Sequence, residues 1–95
     1  HKTLLQALKQ HFADRIQVFG DDAGMHVLIR LNVGLTRDEI LDRSQDFSLE
    51  LVSTNPFYNE EPPAVPEFLV GFTNYTAAEI KSAVATLADA LLQPH

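Results

Sequence analysis

A chain of 95 residues with net charge −6, 45% hydrophobic and 21% charged, has the make-up of one ordinary globular domain, near the lower size at which a single core suffices. The acidic balance and the lack of any Lys/Arg cluster leave no positive footprint for phosphate, which argues against direct nucleic-acid contact or an anionic membrane surface. Zero cysteines remove disulfides, thiolate metal sites and thiol nucleophiles, and no apolar run approaches the roughly 18 residues of a membrane span, so a cytoplasmic domain is expected.

Leu4, Leu5, Leu8 and Phe12 recur at three- and four-residue steps and predict an amphipathic helix over residues 3–14, with Lys2, Lys9 and Gln10 outside. A helix that starts almost at the first residue suggests a chain cut from something longer. Ile16-Gln17-Val18-Phe19 reads as a short strand, and Gly20-Asp21-Asp22-Ala23-Gly24 suits a reversing loop. The next strand, residues 25–32, puts Met25, Val27, Ile29 and Leu31 on one face and His26, Leu28, Arg30 and Asn32 on the other. The two strands predict a hairpin.

Residues 36–47 read as a second helix, with Ile40, Leu41 and Phe47 apolar, and residues 49–53 as a strand. The segment 54–66 holds four of the five prolines and cannot pair as a central strand, because each proline lacks the ladder's donor. Phe68, Val70 and Phe72 then alternate with Leu69 and Gly71 as a strand with one strongly apolar face. A last, alanine-rich helix opens at Thr76, buries Ile80, Val84, Leu87 and Leu91, and ends at Pro94.

One pattern occurs twice. Tyr75-Thr76-x-x-Glu79-Ile80 has the spacing of a capping box inside a hydrophobic staple, and Leu35-Thr36-x-x-Glu39-Ile40 repeats it forty residues earlier, each behind a strand. The order α-β-β-α-β-β-α predicts an α+β domain, a two-layer sandwich in which helices cover one face of a small, mostly antiparallel sheet. The other face would carry Leu28, Leu69 and Val52 among His26, Arg30 and Gly71. That is more apolar than a solvated face and hints at a partner surface.

No catalytic centre emerges. His1, His11, His26 and His95 lack the spacing of helical metal ligands, so no metal site is expected. Glu60-Glu61 and Asp21-Asp22 read as loop solvation and turn chemistry rather than an acid–base pair. Ser44, Ser48, Ser53 and Ser82 lack a nucleophile elbow, and Gly20 and Gly24 are too sparse for a phosphate loop. Phe57 and Tyr58, between prolines, leave two roles open: an aromatic lip over a pocket, or a plug at the edge of the chain's own core.

Three stretches carry a resemblance: Asp21-Asp22-Ala23-Gly24-Met25-His26-Val27-Leu28-Ile29-Arg30-Leu31, then Asn55-Pro56-Phe57-Tyr58, then Phe68-Leu69-Val70-Gly71-Phe72-Thr73-Asn74-Tyr75-Thr76-Ala77-Ala78-Glu79-Ile80. In order and spacing they resemble the C-terminal part of the aminotransferase-like domain of MocR-type regulators in the GntR family. Ordinary class I aminotransferases have related patterns, with Phe in place of His26. The resemblance implies that residues 1–95 are the small C-terminal lobe of a fold-type-I domain that holds pyridoxal phosphate and dimerises, in a protein with an N-terminal winged helix-turn-helix.

It also implies that the Schiff-base lysine lies in the large lobe, so that Lys2, Lys9 and Lys81 are not candidates and this segment neither catalyses nor binds cofactor by itself. Aligned on Gly71-Phe72, Leu69 stands where many fold-type-I proteins carry a carboxylate-gripping Arg. Either Arg30 takes over that role, or the effector binds differently, or Leu69 is an ordinary sheet residue. His26, Arg30, Phe57, Tyr58 and Leu69 are the residues expected to face the pocket or the large lobe of the parent chain. The alternatives are the matching lobe of a class I aminotransferase and a free-standing protein-interaction domain.

Overall fold

Two strand–turn–helix units organise the molecule, and their strands meet at its centre. The computed structural model describes residues 2–22, 26–58, 61 and 63–92. Helix α1 (Lys2–Phe12) leads through a 3-10 turn (Ala13–Arg15) into β1 (Ile16–Asp22) and β2 (His26–Leu31); α2 (Arg37–Arg43), β3 (Glu50–Ser53), a second 3-10 turn (Asn55–Phe57), β4 (Glu67–Gly71) and α3 (Ala77–Leu92) complete the chain. The four strands form one sheet in the order β1-β2-β4-β3, with every pairing antiparallel. The α+β two-layer class and the element order expected from the sequence are those of the molecule.

The repeated motif behaves as its spacing predicts. Thr36 and Thr76 each accept a hydrogen bond from the backbone N–H of Glu39 and Glu79, at 3.2 and 3.1 Å, and each glutamate reaches back to the threonine N–H at 2.9 and 2.8 Å. Both helix starts thereby satisfy donors that have no partner inside the helix. Leu35 and Tyr75 pack against the core as the outer halves of the two staples, and Ile40 and Ile80 are buried as the inner halves. Gly34, just ahead of the first box, takes φ 77°, a left-handed conformation that a side chain would oppose.

One core unites the layers. Val27, Ile29 and Leu31 from β2 and Phe68 and Val70 from β4 point to one side of the sheet, where Leu4, Leu8 and Phe12 of α1, Ile40 of α2, and Ile80, Val84, Leu87 and Leu91 of α3 meet them. Each such side chain contributes about 1.5–3 kcal/mol when fully buried. Helix α1 lies along α3, which Ala83 and Ala88, both buried there, allow by their small size.

Several boundaries differ from expectation. Helix α1 ends at Phe12 instead of residue 14, and Ala13–Arg15 form a 3-10 turn in which Ala13 takes φ 52°. Helix α2 stops at Arg43 instead of residue 47: the Ser44 N–H closes on the Ile40 carbonyl, its hydroxyl bonds the Leu41 carbonyl at 3.2 Å, and Phe47 reaches the core from a turn. Strand β1 continues past Phe19 to Asp22 because a bulge absorbs an extra residue, Val18 pairing with Ile29 but Asp21 with Val27. The 54–66 segment contains a 3-10 turn rather than loop alone. His1, Ala23, Gly24, Met25, Glu60, Pro94 and His95, for which the sequence also carried expectations, lie outside the described residues.

Candidate functional site

Helices cover one face of the sheet. The residues alternating outward from that core form three cross-strand rows on the other face. The middle row is apolar: Leu28 pairs with Leu69, and Leu69 with Val52. Leu28 and Leu69 are half-buried and Val52 is 43% exposed, so a strip of aliphatic surface crosses three strands without a helix over it.

On one side of the strip lies the row His26–Gly71–Glu50. His26 Nε2 stands 3.5 Å from Glu50 Oε2 although the two residues sit on strands separated by β4. Gly71 makes this possible: a Cβ there would collide with the Glu50 carboxylate and come within 3.1 Å of the Glu50 Cβ. The glycine is a lane across the central strand.

On the other side is the row that joins Arg30 to Glu67. Arg30 Nε donates to Glu67 Oε2 at 2.9 Å; the hydroxyls of Thr54 and Tyr58 donate to Oε1 at 2.7 and 2.6 Å. Glu67 is 3% exposed. The Arg30 guanidinium also lies 4.7 Å from the centroid of the Phe19 ring, within cation–π range. Local sequence builds the clasp. Thr54 comes directly after β3 and donates its N–H to the Glu67 carbonyl at 3.2 Å, and the Pro56-containing turn carries the chain back so that Tyr58 meets the carboxylate.

Burial by itself would raise the Glu67 pKa, but the hydrogen bonds from Tyr58, Thr54 and Arg30 and the Arg30 charge outweigh it and hold the carboxyl below its usual range. The same contact, led by the hydrogen bond to Glu67, raises the Tyr58 phenol and the Arg30 guanidinium. A general acid needs its carboxyl pushed toward neutrality. Glu67 is pushed the other way, so its chemistry is to anchor, fixing Arg30 and Tyr58 in place.

Of the residues singled out from sequence, His26, Arg30 and Leu69 share this open face, and Tyr58 is tied to it through Glu67. Phe57 is 65% exposed and does not plug the chain's own core; Tyr58 is 39% exposed and brings its hydroxyl to Glu67. Arg30 is already engaged through Nε, which limits how it could replace an arginine at position 69. Sequence reasoning missed Glu67, Thr54, Phe19 and Glu50. The only signal for Glu67 was its place two residues before Leu69 on the same strand face, where a carboxylate is commonplace until the register sets an arginine opposite.

Among the described residues no three His, Asp or Glu side chains gather as metal ligands, and every buried side-chain nitrogen and oxygen has a partner. Lys2, Lys9 and Lys81 are exposed on α1 and α3, in the layer behind the sheet from the Arg30–Glu67 row.

Fold and face together define a small α+β module finished by helices on one side and presenting bare sheet on the other. Its sequence is 24% identical over 90 residues to an uncharacterized HTH-type transcriptional regulator, YhdI of Bacillus subtilis (strain 168); the alignment covers 95% of this chain. The chain spans 19% of that protein's length. No protein-family model matches.

Proposed function

We propose that the chain is the small C-terminal lobe of the aminotransferase-like, effector-sensing domain of a cytoplasmic transcriptional regulator of the MocR type in the GntR family. The observation that carries this reading is the similarity along 95% of the chain to an HTH-type regulator of whose length it spans only 19%; a parent of similar length would have room for DNA-binding and cofactor-binding segments. The open face agrees with it: an aliphatic strip between two polar rows suits a surface closed by a neighbouring lobe, since a strip of that kind gains from leaving water. In this reading pyridoxal phosphate and its lysine belong to the large lobe, the parent is a homodimer, and DNA is contacted elsewhere.

The test is the parent reading frame and its product. A winged helix-turn-helix upstream, with a lysine-bound pyridoxal chromophore in the purified full-length protein, is the expected result. A pyridoxal-binding parent without the helix-turn-helix selects an aminotransferase enzyme instead. A frame that encodes neither overturns the proposal and leaves an interaction domain.

A further inference from the structure

Four polar residues gather at the Ile16–Leu31 end of the β1–β2 pair. Gln17 pairs with Arg30; two positions outward, beyond the Ile16–Leu31 pair, Arg15 lies beside Asn32, whose N–H donates to the Arg15 carbonyl at 2.7 Å. Alternation along the strands puts Gln17 and Arg30 on the open side of the sheet, and Arg15, at the end of the 3-10 turn, and Asn32, just past β2, flank them. With Asp14 and Val65 they line a cavity of about 260 Å³.

Two observations single this cavity out. The chain has net charge −6 and seven Lys and Arg in all, yet two of its four arginines line one small cavity. Their states are also complementary. Arg30 is pinned through Nε by buried Glu67 and laid against Phe19, which sets its plane in advance; Arg15 is exposed, and among the described residues no carboxylate lies within ion-pair distance of it. Gln17 and Asn32 on the same lining add carboxamide donors.

We propose that this cavity binds a small oxyanion, either the carboxylate of an organic acid or a phosphate group, through the guanidinium groups of Arg15 and Arg30 and the amides of Gln17 and Asn32. Guanidinium forks match oxyanions in geometry as well as charge, and the volume falls just under the roughly 300 Å³ of the smallest drug-sized pockets. The cavity fits a small anion or one terminal group of a larger ligand. Asp14 on the wall and Glu67 behind Arg30 offset the positive charge, so directional donors and not bulk potential provide selectivity, and affinity is modest. The site rests on this chain's own residues and is tested on this chain without its parent.

The experiment is a titration of the isotopically labelled chain, monitored by NMR, with sodium acetate and separately with inorganic phosphate, against sodium chloride at matched ionic strength. Saturable shifts of the Arg15 and Arg30 Nε–H and of the Gln17 and Asn32 side-chain amides are expected, with half-saturation on the order of millimolar. Arg15→Gln, at an exposed position, weakens the response at least about tenfold; Asn32→Ala weakens it as well, and Arg37→Gln on α2 leaves it unchanged. Saturation by acetate alone assigns a carboxylate ligand, by phosphate alone a phosphate group, and by both an oxyanion in general. Linear drift equal to that in chloride, or saturation untouched by Arg15→Gln, overturns the proposal.

Discussion

Replacing Glu67 by Gln keeps the side chain's shape and removes its charge, and the contacts around it set the cost. Oε1 accepts from Thr54 and Tyr58, while Oε2 accepts from Arg30. A carboxamide has one oxygen and one NH₂. With its oxygen at the Oε1 position it keeps both hydroxyls but turns N–H toward the Arg30 N–H; flipped, it keeps Arg30 and loses the hydroxyls as donors. Deleting one partner of a fully buried ion pair costs about 3–5 kcal/mol. Glu67 is 3% exposed but the Arg30 side chain is 34% exposed, so the guanidinium regains water, and the lost charged hydrogen bond at about 1.5–3 kcal/mol is the better measure. Against a total of about 5–14 kcal/mol for 95 residues, that is a large share, and the midpoint of thermal unfolding should fall by about 6–24 °C. Urea denaturation monitored by far-ultraviolet circular dichroism at pH 7 measures it. A loss below about 0.5 kcal/mol, the usual scale of a surface substitution, would refute the view that the clasp holds β2, β4 and the 54–58 segment together.

The other predictions concern pH, the caps, a turn and the open face. The folded Glu67 carboxyl is held below its usual value, so its stabilisation is complete above the unfolded pKa of about 4.3 and drains as pH falls through the folded value. The stability gap between the wild type and Glu67→Gln therefore narrows in acid, and a gap as wide at pH 3 as at pH 7 would contradict this. Thr36→Ala and Thr76→Ala each lose about 1 kcal/mol in denaturant titrations. Gly34→Ala loses about 1–2 kcal/mol through φ alone, since an added Cβ meets nothing within 4 Å; Gly34→Asn loses less. The bare aliphatic strip makes the chain self-associate or bind a hydrophobic dye, and Leu69→Glu abolishes both while changing stability by less than about 1 kcal/mol. Monomeric wild-type chain in concentrated sedimentation runs, without dye binding, would argue against an exposed interface.

The sequence was most legible where the physics is local. A threonine three residues before a glutamate is enough to cap a helix, so Thr36–Glu39 and Thr76–Glu79 could be placed without any knowledge of the fold. Alternation was equally reliable for β2 and β4, because side chains on a strand must point to opposite sides whatever the strand pairs with. Helix α2 was less legible. Phe47 has the spacing of a helical core residue, but a turn after Ser44 delivers it to the same place.

Sequence alone thus determined the class of the fold, the two capped strand–helix units, and an unusually apolar second face carrying His26, Arg30 and Leu69. Only tertiary structure decided what that face does with its polar groups. Arg30 and Glu67 are 37 residues apart, and no local rule pairs them. The order β1-β2-β4-β3 sets them opposite each other, brings Thr54 and Tyr58 onto the same carboxylate, and leaves Gly71 as the gap through which Glu50 reaches His26. Registers of this kind arise when separate strands bury one shared core. The chemistry of the open face is therefore a consequence of packing on the side it turns away from.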